Sequence, residues 1–147
     1  MTWWQTGMSN TRPSSTEDAS ATFDWFRNYS QIRDLLQELI PNKQSRILML
    51  GCGNSTLSEK MFSDGFLNIV NTDYSSVVIN QMAQRHSEKS MQWIEMDIRA
   101  LQFEDETFDV VIDKGTMDAM LAVKGSVWDP PQRAIDDCNK EVDEATR

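Results

Sequence analysis

Cysteine and histidine are scarce in this chain of 147 residues, which contains only Cys52, Cys138 and His86 of these two types. The two cysteines have neither the spacing of a metal site nor the framework of a disulfide-rich secreted domain. We therefore expect no metal site and two reduced thiols, as is usual in the cytoplasm. His86 stands near the end of a predicted helix, where we expect it to cap the helix at the surface.

Long apolar runs are also missing. A helix needs about 20 mostly apolar residues to cross a membrane, and no segment approaches that length. The first five residues, MTWWQ, do not show a basic segment followed by an apolar one, which is the pattern of a secretory signal. We therefore expect neither membrane association nor secretion.

Positive charge is limited as well. Lysine and arginine number 14 against 23 acidic residues, which gives a net charge of −9. Because a protein that binds nucleic acid needs a basic face, we expect no nucleic-acid partner. The acidity suits attraction of a basic protein partner, although many cytoplasmic proteins are acidic without having one.

The length and composition are typical of a single soluble domain. Residues 1–22 are rich in loop-forming types, and we expect an irregular N-terminal segment there. Residues 23–147 carry alternating helical and strand-like patterns and form the predicted domain. Strands are predicted at 46–50, 67–72, 91–96 and 108–112, and helices at 30–40, 56–63, 77–85, 117–123 and after Pro131. Strands separated by helices favour a parallel α/β sheet.

The first predicted helix has five apolar residues at helical spacing. They are Ile32, Leu35, Leu36, Leu39 and Ile40. This spacing predicts that all five face the core. Ser30 is a suitable N-cap for this helix, and Ser55 for the next one.

Glycine or an acid follows each predicted strand. The first strand ends at residues 51–53, Gly-Cys-Gly, and the others end at Asp73, Asp97 and Asp113-Lys114. Because ligands bind at the carboxyl ends of parallel strands, we expect these groups to meet at one edge. Strand, glycine turn and helix N-terminus form a nucleotide-type cofactor site. Taken singly, each group also has an ordinary explanation. The glycines suit a simple strand–helix turn, and any one of the carboxylates could cap a helix.

Asp73 lies twenty residues after Gly53, where an acid binds ribose hydroxyls in nucleotide-binding βαβ units. Its charge would disfavour a 2′-phosphate. The nicotinamide fingerprint needs a third glycine, which residues 54–56 do not provide. A cofactor without a pyrophosphate therefore fits better than NAD, and a nicotinamide-dependent oxidoreductase is the less favoured alternative.

Four segments resemble the class I S-adenosylmethionine-dependent methyltransferases. They read LGCGNS, NTDYSS, MDIRAL and FDVVIDKGTMDAM, in this order. Together with FDWF, they are similar to the eukaryotic lysine methyltransferases that modify translation elongation factor 1-alpha. The resemblance covers about residues 23–125 and implies a Rossmann-like parallel sheet with flanking helices. It also implies S-adenosyl-L-methionine as cofactor and the elongation factor as protein substrate.

The resemblance implies residue roles at the methionine and ribose ends of the cofactor. Gly51 and Gly53 would pass beneath the methionine moiety, and Trp25 would help to close over it. Asp73 would hold the ribose, and Tyr74 would lie beside it.

Other roles implied by the resemblance concern the adenine and the reaction. Asp97 and Ile98 would flank the adenine, with the acid accepting a hydrogen bond from the exocyclic amine. Lys114 matches a family position at the cofactor. Asp113 is a candidate for orienting the substrate amine or taking up its proton.

The family's sheet has seven strands, and this chain ends at Arg147 within the helix that follows the fourth. We therefore expect the last three strands to be missing, as in a C-terminally truncated chain. Two functions follow from this. The chain is either a protein-lysine methyltransferase, in which the enzyme's main contribution is alignment, or a cofactor-binding or interaction fragment without catalysis.

Overall fold

The computed structural model describes residues 22–122 and 129–147. The helices there are α1 (Tyr29–Leu39), α2 (Leu57–Ser63), α3 (Ser76–Arg85), α4 (Thr116–Leu121) and α5 (Gln132–Ala145). The strands are β1 (Ile47–Leu50), β2 (Ile69–Asp73), β3 (Gln92–Glu95) and β4 (Val110–Asp113). The predicted irregular segment lies outside the described residues except for residue 22, as does residue 123 of the predicted fourth helix. None of the described helices is long and apolar enough to span a membrane.

The four strands form one sheet in the order β3-β2-β1-β4, and every neighbouring pair is parallel. The predicted Rossmann-like α/β class is therefore confirmed. In this register Leu50 pairs with Asp113, and Asp73 pairs with Glu95. The carboxyl ends of all four strands consequently lie at one edge of the sheet.

The central strand β1 is buried along its whole length, with exposed fractions of 4% or less. Its alternate side chains enter two apolar clusters on opposite faces of the sheet. The cluster facing α1 and α2 includes Ile47, Met49, Leu57, Met61 and Phe66. The other includes Leu48, Leu50, Val70, Ile98 and Leu101. Burial on both faces explains the uninterrupted apolar run of β1.

Helix α1 differs from the prediction in its cap and in its buried face. Asn28, not Ser30, is the N-cap, and its side chain and that of Gln31 form a reciprocal capping box. Leu36 is buried, but Leu35 is 54% and Leu39 67% exposed, so the expectation for these two leucines was wrong. Each precedes a buried residue by one position, which is about 100° around the helix, and therefore points away from the sheet.

His86 is also placed differently from the expectation. It is the C-cap residue of α3, as a capping role requires, but it is 3% exposed and not at the surface. Its ring stacks on Trp93 of β3, with centroids 5.6 Å apart and planes inclined by 16°. Burial lowers the pKa of His86 below its usual value. Because Trp93 is on a separate strand, its packing on His86 could not be read from the helix pattern alone.

Candidate functional site

The glycine turn after β1 has left-handed backbone at both glycines, with φ of +57° at Gly51 and +52° at Gly53. A Cβ on Gly51 would lie 2.2 Å from Thr116 Oγ1, which donates a hydrogen bond to Leu50 O at 3.0 Å. A Cβ on Gly53 would meet no atom of the described chain within 4 Å. Gly51 is therefore required by packing, whereas Gly53 leaves the backbone open to close approach.

Asp73 ends β2 and is joined directly to this turn. Its Oδ2 accepts a hydrogen bond from Gly53 N, and its Oδ1 accepts one from Ser75 N, both at 2.9 Å. A carboxylate has about four lone-pair sites, so each oxygen retains acceptor capacity after these bonds. Tyr74, the next residue, is 76% exposed. The carboxylate thus both fixes the turn and can accept two further hydrogen bonds.

The segment after β3 is adjacent to Asp73, because Met96 N donates a hydrogen bond to Asp73 O at 2.9 Å. Asp97 follows, and its side chain is 45% exposed. Hydrogen bonds from Arg99 lower the pKa of Asp97, so the carboxylate is ionised at neutral pH. Ile98 is 7% exposed, and its side chain packs in the second apolar cluster.

Lys114 follows β4 and holds the segment that precedes α1. Its Nζ donates hydrogen bonds to Trp25 O at 2.8 Å and to Arg27 O at 3.2 Å. The same ammonium lies 3.7 Å from Asp24 Oδ1. The contacts of Lys114 therefore tie this segment to the end of β4.

Asp24 attaches the same segment to the start of α2. It accepts hydrogen bonds from the hydroxyl groups of Ser55 and Thr56. Burial alone would raise its pKa, but these two hydrogen bonds and the charge of Lys114 lower it overall. An ionised Asp24 therefore links three segments around the glycine turn.

The aromatic side chains beside Asp24 border the end of β4. A Cβ on Gly115 would lie 3.3 Å from both Trp25 Cβ and the Phe26 ring, so this pair packs against Gly115. Trp25 is nevertheless 60% and Phe26 67% exposed. The rings form an apolar surface next to the strand ends.

Asp113 has a local structural role. Its two oxygens accept hydrogen bonds from Thr116 N and Met117 N, both at 2.9 Å, at the start of α4. These bonds satisfy N–H groups that lack partners within the helix. Its assignment to substrate chemistry stays a prediction.

Cys52, inside the glycine turn, is not suited to act as a nucleophile. Burial and the charge of Asp73 raise the pKa of its thiol well above the usual range. The side chain therefore remains a neutral thiol at physiological pH, and nucleophilic chemistry through Cys52 is disfavoured.

The structure thus brings the predicted residues together in two groups. Gly53, Asp73 and the backbone before Asp97 are linked by hydrogen bonds, while Lys114 and Trp25 contact each other beside β4. Both groups lie at the carboxyl edge of the sheet. Residues 47–138, more than half of the chain, match a family model described as a methyltransferase domain.

The chain belongs to the methyltransferase-domain family. It is 42% identical over 130 residues to EEF1A lysine methyltransferase 4 of Mus musculus, a match covering 87% of this chain and 50% of the relative. It is 44% identical over 101 residues to the eEF1A lysine and N-terminal methyltransferase of Mus musculus, covering 67% of this chain and 14% of that relative. The family predicted from the motifs is confirmed. This methyltransferase-domain chain spans about half the length of the first relative.

Solved structures agree with the fold of the methyltransferase domain. The crystal structure of PH0226 protein from Pyrococcus horikoshii OT3 superposes with a TM-score of 0.58 at 25% sequence identity. The match covers 81% of this chain and 51% of that one.

Three residues of this methyltransferase domain were missed by the sequence analysis. Asp24 is an acid within the quoted FDWF segment, and Thr116 and Arg99 each stand two or three residues after a strand-end acid. These positions were the available signal, because polar residues near strand ends meet at the ligand edge of the sheet. The partners of Asp24 and Thr116 could not be inferred because they lie in distant segments. Those of Arg99 could not be inferred because the sequence offers many acidic residues with which it could pair.

Proposed function

We propose that this chain binds S-adenosyl-L-methionine and forms the cofactor-binding part of a cytoplasmic protein-lysine methyltransferase. Its proposed substrate is translation elongation factor 1-alpha. The named relatives support this substrate, because both are described as eEF1A lysine methyltransferases. The bonding of Asp73 is the observation that carries the cofactor proposal.

The two hydrogen bonds that Asp73 accepts come from backbone N–H groups, one at each carboxylate oxygen. The remaining lone pairs match a vicinal diol, which donates two hydrogen bonds, as an unphosphorylated ribose does. A phosphorylated ribose would place two negative groups together. Asp73 is therefore the proposed ribose-binding residue, with the exposed Tyr74 beside it.

The glycine turn fits the methionine end of the cofactor. Gly53 has left-handed backbone and would tolerate a ligand close to it, as the space around its missing side chain indicates. Gly51 is the proposed second contact, and Trp25 the residue that closes the methionine end. Asp97, Ile98 and Lys114 complete the proposed set, with Lys114 acting through the segment that it holds.

When bound, S-adenosyl-L-methionine supplies an electrophilic methyl group on its sulfonium sulfur. The chain's own contribution is alignment of the two reactants. A lysine amine must be neutral to act as a nucleophile, and its usual pKa is about 10.4. An approach along the apolar rings of Trp25 and Phe26 would lower that pKa by desolvation. Asp113, at the end of β4, is the proposed group for orienting the amine.

The proposal is tested first by calorimetry with S-adenosylhomocysteine and with NAD. We expect binding of S-adenosylhomocysteine and none of NAD, and binding of NAD alone would overturn the proposal. The second test incubates the chain with labelled S-adenosyl-L-methionine and purified elongation factor 1-alpha. Label on a lysine of the factor supports catalysis. Cofactor binding without transfer would contradict catalysis and support the alternative of a binding fragment.

A further inference from the structure

We propose that Arg99 is a positioning residue that sets Asp97 for recognition of the adenine amine, and that Asp137 anchors Arg99 from helix α5. This inference rests on the proposed function, because it concerns the adenine end of the same site. It assigns roles to two residues outside the predicted site.

The guanidinium of Arg99 holds the Asp97 carboxylate as a two-pronged fork. Arg99 Nε lies 3.0 Å from Oδ1 and 3.2 Å from Oδ2, and Nη2 lies 2.7 Å from Oδ2. The backbone N of Arg99 donates to Oδ1 at 2.9 Å. Such planar, charge-assisted pairing fixes the orientation of a carboxylate as well as its position.

Asp97 stays accessible although Arg99 reaches both of its oxygens. Oδ1 accepts from Arg99 N and Nε, and Oδ2 accepts from Nε and Nη2, so the Nε–H is shared between the two oxygens. The Asp97 side chain is 45% exposed, so one more donor can approach the carboxylate from outside the protein. An exocyclic amine presents such a donor at the edge of adenine, whereas the carbonyl of hypoxanthine presents an acceptor that would face a negative charge.

The other end of Arg99 is attached to α5. Its Nη1 donates to Asp137 Oδ2 at 3.0 Å, and the Asp137 side chain is 17% exposed. Lys140 lies 3.6 Å from the other oxygen of Asp137. The guanidinium of Arg99 is therefore bonded both to the segment after β3 and to α5, and this double attachment restricts its orientation.

Stability alone is a poor explanation for this arrangement. The Arg99 side chain is 38% and the Asp97 side chain 45% exposed. Ion pairs at such exposure contribute little to the free energy of unfolding. Orientation of a binding group is a role that an exposed but geometrically fixed pair can fulfil.

The test compares S-adenosylhomocysteine with S-inosylhomocysteine, in which a carbonyl replaces the adenine amine. The variants are Arg99→Gln, Arg99→Lys and Asp137→Asn, and the matched control is Arg33→Gln. Arg33 of α1 is comparably exposed, at 46%, and pairs at 2.9 Å with Asp64, the C-cap residue of α2. Dissociation constants come from calorimetry, and thermal denaturation of the free variants shows that they fold.

We expect Arg99→Gln to weaken S-adenosylhomocysteine binding by about tenfold while the inosyl analogue changes little, so the preference for adenine falls. Arg99→Lys retains the positive charge without the planar guanidinium and should keep only part of the preference for adenine. Asp137→Asn should give a preference between that of Arg99→Gln and that of the unsubstituted chain. Arg33→Gln should leave it unchanged. An unaltered preference in folded Arg99→Gln, or equal weakening of both ligands, would overturn the inference. Failure of the unsubstituted chain to bind S-adenosylhomocysteine would instead overturn the proposed function.

Discussion

The carboxylate of Asp73 is bonded to the backbone of the turn that it faces, with its Oδ2 accepting a hydrogen bond from Gly53 N at 2.9 Å. The proposed ribose-binding acid and the proposed methionine-binding turn therefore form one unit. A change in the conformation of the turn must also move the acid. The same bond explains why a short glycine turn keeps a defined shape.

Gly53→Ala tests this coupling, with Gly65→Ala as its control. Both glycines have positive φ, and a Cβ at either would meet no atom of the described residues within 4 Å. Each substitution should cost about 1–2 kcal/mol of unfolding free energy, because left-handed backbone is strained for alanine. We expect only Gly53→Ala to weaken S-adenosylhomocysteine binding in calorimetry. Equal binding by the two variants would contradict the coupling.

Asp24→Asn tests the attachment of the segment before α1. The substitution removes the negative charge that faces Lys114 and alters the acceptors for Ser55 and Thr56. We expect hydrogen exchange of residues 24–27 to accelerate, because the segment loses an attachment to two other parts of the chain.

The control for this experiment is Asp34→Asn, which removes an equal charge from an exposed position of α1. It should leave exchange in residues 24–27 unchanged. Exchange rates in Asp24→Asn that match those of the unsubstituted chain would show that Lys114 holds the segment without Asp24.

The sheet and its ligand edge were predictable because their signals are local. The four-residue apolar run of β1 indicates burial on both faces, and the interval of twenty residues between Gly53 and Asp73 contains one helix, α2, and the strand β2. The observed parallel register then brings the strand ends to one edge without further information. Periodicity and spacing are sufficient for such features.

Features that depend on distant partners were not predictable in the same way. Lys114 contacts carbonyl groups 87 and 89 residues earlier, and the buried ring of His86 stacks on Trp93 of a separate strand. The spacing of Leu35 and Leu39 is correct for a helix, but it does not reveal how wide a face the sheet can cover. Tertiary packing decides these cases, and contacts between distant segments cannot be read from local patterns in the sequence.

Glu141 should make the chain less stable as the pH rises. It is 1% exposed on α5, and burial together with Asp113 raises its pKa to about 8 from an ordinary 4.5. Between these values the folded state binds more protons than the unfolded state, so stability falls as the pH increases. Glu141→Gln should remove this slope and stabilise the chain at pH 9 by about 2 kcal/mol or more, because one pKa unit corresponds to about 1.4 kcal/mol.

The measurement for Glu141 is urea unfolding at pH 5, 7 and 9. Glu144→Gln is the control, because Glu144 is on the same helix and pairs with Arg147 at 2.8 Å. That variant should retain the loss of stability with rising pH. A parallel pH dependence in Glu141→Gln and the unsubstituted chain would show that Glu141 is ionised in the folded state.

His86 should make the chain less stable as the pH falls, which is the reverse of the pH dependence expected from Glu141. Burial lowers its pKa in the folded state, so below about 6.5 the unfolded chain binds a proton that the folded chain does not. Unfolding free energy should therefore decrease as the pH falls from 6.5 towards the folded pKa. His86→Phe keeps an aromatic ring against Trp93 and should reduce this loss. Because the sequence contains one histidine, the imidazole C–H resonances in an NMR titration belong to His86 and report its pKa directly. A midpoint at or above 6.5, or an acid slope unchanged in His86→Phe, would contradict this account of the buried ring.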